Sequence, residues 1–146
     1  MTYPSLSLGQ SAFTVREYGQ QRGDWQKVDE WWQAHRSDIR LVETLLPPLG
    51  VMVELNGVPV AAMWLHLSAG IGVAFLENPV TSPGLTPREA ITAMGIALGA
   101  LKSAAKKHNY GVMVANAPIG IAAVLKKEFG FDKIDDRQKL TMAKEI

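Results

Sequence analysis

The chain has 146 residues, 47% of them hydrophobic and 20% charged, with a formal net charge of +1. That length suits one domain spanning 1–146 with a single sizeable core, and the composition is that of a globular chain, not a disordered one. With no cysteine there is no disulfide, thiolate metal site or cysteine nucleophile, and the near-neutral balance gives no electrostatic reason to expect nucleic acid.

Residues 1–12 carry Ser, Gly and Pro without periodicity and read as a loose leader. They lack the basic start and apolar centre of a signal peptide, and no later stretch is long and apolar enough to span a bilayer. The expectation is a cytoplasmic protein with no membrane contact. A short strand is expected over 13–18 and a turn over 19–23. Asp24 then makes a good N-cap for a helix to about residue 35, with Trp25, Val28 and either Trp31 or Trp32 on one face. A second short helix is expected within 37–46, ended by Pro47 and Pro48.

A strand over 51–55 meets Asn56-Gly57, the strongest two-residue hairpin signal, and returns over 58–68 with Pro59 delaying its ladder. Ala69-Gly70 leads to a third strand over 71–76. A loop rich in Pro, Gly, Ser and Thr covers 78–85. The longest helix follows over 87–107, where Ile91, Met94, Leu98, Leu101 and Ala105 step by three and four. Thr86 is its N-cap, Pro87 takes the first helical position, and Glu89 completes a Thr-x-x-Glu capping box. Lys102, Lys106, Lys107 and His108 crowd the far end, where cations favour the negative end of the helix dipole. That accounts for the densest basic stretch without nucleic acid. A buried strand over 110–115 and a helix over 119–128 come next. Gly130 stops that helix, Phe131 folds back on Leu125, and a strand over 139–143 closes the chain. The fold class is mixed α/β (α+β), with helices on both faces of one sheet.

From Ile71 onward, particular residues resemble the GNAT superfamily of N-acyltransferases. One stretch is the strand, loop and long helix over 73–107. The other is Tyr110-Gly111-Val112-Met113-Val114, followed by a helix closing in Leu125-Lys126-Lys127-Glu128-Phe129-Gly130-Phe131. The run from Glu77-Asn78-Pro79 through Ser82-Pro83 to Pro87-Arg88-Glu89 is similar to short GNAT-like proteins of phage genomes. The resemblance implies a mostly antiparallel sheet that splays between strands 71–76 and 110–114. The pantetheine arm of acetyl-CoA or another acyl-CoA would enter that gap beside Leu76. Its pyrophosphate would sit at the long helix's start, on Thr86, Arg88, Glu89 and Ala90. The first turn of any helix does offer unpaired N–H groups and partial positive charge, although a capped helix with a solvated Arg-Glu surface explains the same residues. Asn116 would lie beside the cofactor, or else begin a turn before Pro118. Lys126 would stand where many members carry a tyrosine that protonates the leaving thiolate.

The family's glycine-rich phosphate loop is not present. Gly84 stands alone, and 85–90 matches only in its final small residue; Gly95 and Gly99 read as sites of close packing against the sheet. An acyltransferase must also take a proton from its acceptor amine. Glu77, closing the strand at the cleft, is the first choice for that base, ahead of Glu54 on the neighbouring hairpin. Tyr110 is the candidate acid, or else a strand-edge core residue. His66, in phase with Trp64, is a sheet-face residue or a shuttle. No His and carboxylate spacing suggests a metal, and no nucleophile elbow is present.

The resemblance thus implies acyl transfer from an acyl-CoA to a primary amine on a small molecule or protein, with a homodimer as one assembly it allows. The missing loop and tyrosine point instead to a GNAT-like fold that has lost catalysis and serves in binding or regulation. An open gap with free N–H groups over 86–90 favours the enzyme. A gap filled by Met113, Trp64 or the 78–85 loop favours the rival.

Overall fold

A computed structural model describes residues 6–8, 11–35, 38, 40–134 and 139–146. Among these, eight strands form one sheet in the order β1-β2-β3-β4-β5-β6-β8-β7. β1 (Leu6–Leu8) pairs antiparallel with β2 (Ser11–Glu17), so part of the expected leader is the sheet's edge strand.

Asp24 does not cap its own helix. α1 (Asp24–His35) starts from Gly23, whose carbonyl accepts the Lys27 N–H. The Asp24 carboxylate turns back instead, accepting from the Gly19 N–H at 2.9 Å and from both terminal nitrogens of Arg16 at 2.8 Å. Burial alone would raise its pKa, but the bonds from Arg16 and Gly19 hold it below its ordinary value. This buried pair ties β2 to the start of α1. Within 37–46 the expected helix is a single 3-10 turn, Glu43–Leu45, while residues 37 and 39 lie outside the described residues.

β3 (Leu49–Leu55) and β4 (Val58–Leu67) turn at Asn56 and Gly57, whose φ angles of 51° and 81° suit a two-residue hairpin. Their register slips beside Pro59 and is regular from Ala61 onward. β5 (Val73–Thr81) outruns the expected 71–76, so Glu77 lies inside the strand and Pro79 to Thr81 belong to it. α2 (Pro87–Lys107), β6 (Val112–Pro118), α3 (Ile119–Phe129), β7 (Asp132–Lys133) and β8 (Lys139–Glu145) complete the order.

Each sheet face has its own core. α2 and α3 cover one face, burying Ala93, Ala97, Leu101 and Leu125 against strand residues such as Val51, Met63 and Leu76. α1 covers the other, packing Val28, Trp31 and Trp32 on Met52, Ala62, Trp64 and Val80. Both Trp31 and Trp32 turn inward, which a three-four step alone left undecided. Gly130, at φ 73°, ends α3, and the Phe131 N–H returns to the Leu125 carbonyl at 3.1 Å. Gly95 serves α3 and not the sheet. A Cβ there would lie 2.8 Å from the Phe129 ring, whereas Gly99 has no such neighbour. Among the described residues no helix is long and apolar enough to cross a membrane.

A Cβ at Gly50 would collide with the indole of Trp64, which is fully buried and meets Tyr18 edge-on at 5.0 Å. Gly50→Ala should therefore lower the unfolding free energy by about 1–3 kcal/mol. Urea denaturation checks this, and an unchanged midpoint would show that the ring shifts freely.

Candidate active site

β5 and β6 run parallel and pair over four positions only, from Val73 with Val112 to Leu76 with Ala115. Beyond them β5 continues to Thr81 against β4 alone, and β6 continues to Pro118 against β8 alone. The strands part at Leu76, which is buried at the apex. A bulge accompanies the parting. Trp64 opposes Glu77 and Ala62 opposes Val80, so Asn78 and Pro79 together face Met63. Asn78 takes the bend at φ 50°, a left-handed conformation asparagine tolerates, and Pro79 has no N–H to give a ladder.

The edge left open has a definite chemistry. The Ser82 N–H reaches the Val60 carbonyl of β4 at 2.7 Å, so by strand alternation the Thr81 N–H and C=O face the gap. His35 Nε2, at the end of α1, lies 2.9 Å from the Thr81 carbonyl. A carbonyl only accepts, so Nε2 carries the proton in that bond. A cleft of about 520 Å³ occupies the gap. Met63, Pro79 and Val80 form its floor, Ala90 and Met94 of α2 one wall, Ile121 and Val124 of α3 another, and Trp32 of α1 a third. Neither Met113 nor Trp64 lines it, as both are buried in the cores. Residues 79–81 line the cleft and do not plug it.

The helix start is less open than an anion site needs. The capping box is complete: the Thr86 N–H bonds Glu89 Oε1 at 3.0 Å, and the Glu89 N–H bonds Thr86 Oγ1 at 3.2 Å. The Ala90 N–H bonds the Thr86 carbonyl at 2.9 Å. Pro87 has no N–H, so Arg88 supplies the one first-turn amide without such a bond. The expected row of free donors over 86–90 is thus reduced to that amide and the exposed Arg88 side chain.

Of the other residues singled out in the sequence, Leu76 sits at the apex, Ala90 lines the cleft, and Asn116 is the first β6 residue past the parting. Glu77 lies at the bulge, half-buried, on the α1 face it shares with Trp64. Burial raises its pKa, partly offset by His66. Lys126 is exposed and, at 3.6 residues per turn, lies on the far side of α3 from Ile121 and Val124. The Tyr110 hydroxyl donates to the Ser68 carbonyl at the opposite end of β6, about 13 Å of strand from the splay. Tyr110 and Lys126 are therefore not brought to the cleft. Trp32, His35, Thr81 and the first half of α3 are, whereas Glu77 and Asn116 border the parting without lining the cleft. The Asn78-Pro79 pair was the available signal, since proline inside a strand pattern marks a bulge. Among the described residues no three His, Asp or Glu side chains cluster as a metal site.

No protein-family model matches this sequence, and no curated protein matches it. Solved structures do. The ribosomal-protein-S18-alanine N-acetyltransferase of Escherichia coli aligns over 92% of this chain and 94% of its own at TM-score 0.68 and 14% identity. The chain has the GNAT fold. Similar to this GNAT-fold chain are also the PaiA N-acetyltransferase of Thermoplasma acidophilum, solved in complex with coenzyme A, and the aminoglycoside 6'-N-acetyltransferase of Enterococcus faecium. The first gives TM-score 0.66 at 13% identity over 92% of this chain and 99% of that one. The second gives 0.69 at 11% over 90% and 96%.

Burial favours the protonated form of Glu77, so its folded pKa lies above its unfolded one. Its contribution to stability is then most favourable at low pH and is lost as pH rises from about 4.3 through the raised value. Relative to Glu77→Gln, the wild type should gain thermal stability between pH 7 and pH 4.5. A difference in melting temperature that stays constant with pH would contradict the burial.

Proposed function

We propose that this chain is an N-acyltransferase, moving an acyl group from acetyl-CoA or another acyl-CoA to a primary amine on a small molecule or protein. The observation that carries the reading is the open apolar cleft at the β5–β6 parting, with the Thr81 amide on its edge. An extended arm bearing amides can continue the sheet there, as any exposed strand edge allows. The fit is good for an uncharged arm and poorer for phosphates, which find at the start of α2 one free amide and Arg88. The similar structures support the donor, one having been solved with coenzyme A. They also include enzymes named for a ribosomal-protein alanine and for an aminoglycoside, which brackets the acceptor without choosing it.

In this reading the chemistry is chiefly positioning. The β5 edge holds the donor extended, and the parting of the strands lets the thioester meet an amine arriving on the α1 face. Glu77 stands on that face at the bulge and accepts the proton of the attacking amine, directly or through water. Its raised pKa makes it a better base than an exposed carboxylate. The tetrahedral centre then collapses with loss of the thiolate, which takes its proton from solvent, since neither Tyr110 nor Lys126 reaches the cleft.

Two measurements test this. Acetyl-CoA at about a hundred times its Kd should stabilise the fold by about 2.7 kcal/mol and raise the melting temperature by several degrees. No shift at millimolar ligand would favour a GNAT fold that has lost its cofactor. With a competent amine, Glu77→Gln should lower kcat/KM by about 10²- to 10⁴-fold while leaving acetyl-CoA affinity intact. An unchanged rate would remove Glu77 from the mechanism.

A further inference from the structure

We infer that the acyl group this cleft accepts is an apolar chain longer than acetyl, an inference that rests on the acyltransferase reading and narrows its donor. Among the described residues no Asp, Glu, Lys or Arg lines the cleft, and apart from the Trp32 indole N–H its polar side chains are those of His35 and Thr81. That lining disfavours phosphates inside the cleft and suits an uncharged occupant. The cleft also runs through the sheet and does not end at its splay. Ala61 and Met63 belong to the core under α2, whereas Ala62, Val80 and Trp32 belong to the core under α1, and all five line the one cavity. An arm entering beside Ala90 and passing the β5 edge thus reaches a wall made of Trp32, Ala62 and Val80. Small side chains leave the room: Ala61, Ala62, Ala90 and Ala97 all border it. A two-carbon acyl group would leave much of that apolar wall wet, while a longer chain covers it.

Each added methylene that leaves water should tighten binding about fourfold. Calorimetric titration of the wild-type chain with CoA, acetyl-CoA, butyryl-CoA and hexanoyl-CoA reads this directly. Hexanoyl-CoA should bind at least about tenfold tighter than acetyl-CoA, with a more negative heat-capacity change. Affinities equal within about twofold across the series would overturn the inference and leave the acyltransferase reading standing, because CoA and acetyl-CoA would still bind. Failure of every one of these ligands to bind would overturn the functional reading and the inference with it. Val124→Phe, at a half-buried position on the α3 wall, locates the chain. It should cut the hexanoyl-to-acetyl ratio at least about threefold, and an unchanged ratio would contradict a chain lying in this cleft.

Discussion

Two residues of β5 set against one of β4 decide what this molecule can hold. Asn78 and Pro79 face Met63 alone, and from that point β5 keeps its bonds to β4 but has left β6. A parallel pair in the middle of a sheet is normally closed and covered on both faces. Here the parting exposes a strand edge in the interior, and in the proposed reading a ligand relieves the cost of leaving backbone groups there unpaired. The His35 ring already bonds one of those groups, the Thr81 carbonyl. The two cores on either side hold the gap open, since α1 is tied to β2 through Arg16 and Asp24 while α2 and α3 lock through Gly95 and Phe129.

The start of α2 shows the opposite economy. Its capping box satisfies the donors that would otherwise greet an anion. In the proposed reading, binding energy for an acyl-CoA comes more from the uncharged arm and the acyl group than from the phosphates. That reading accounts for the absence of a glycine-rich loop. Glycines in such a loop let backbone approach phosphate, and a helix start that is already closed has little use for that approach.

Elements with strong local signals were legible in the sequence. The Asn56-Gly57 hairpin, the Thr86 box and the Gly130 stop are each written in adjacent residues and form as expected. The antiparallel meander, the helices on both faces and the parting of two strands also follow the expected order. What the sequence hid depends on distant partners. Asp24 reads as a cap but is drawn back by Arg16, a residue on β2. Residues 79–81 read as loop because they fall in the run 78–85, rich in Pro, Gly, Ser and Thr, yet pairing with β4 carries the strand through to Thr81. Tyr110 looked near the cleft because it opens the right strand, but a parallel pair that closes first and parts later leaves it at the wrong end. The cleft walls were hardest to foresee, because Ala61, Ala62 and Val124 carry no local signal of a wall until the strands are seen to separate.

In the proposed function the arm of an acyl-CoA binds at the open edge of β5, at Thr81. Amide hydrogen exchange with and without saturating CoA tests it most directly. The Thr81 amide should exchange more slowly when CoA is bound, while that of Ser82, already bonded to Val60, should change little. Exchange at Thr81 that is the same with and without bound CoA would show that the arm does not bind at this edge.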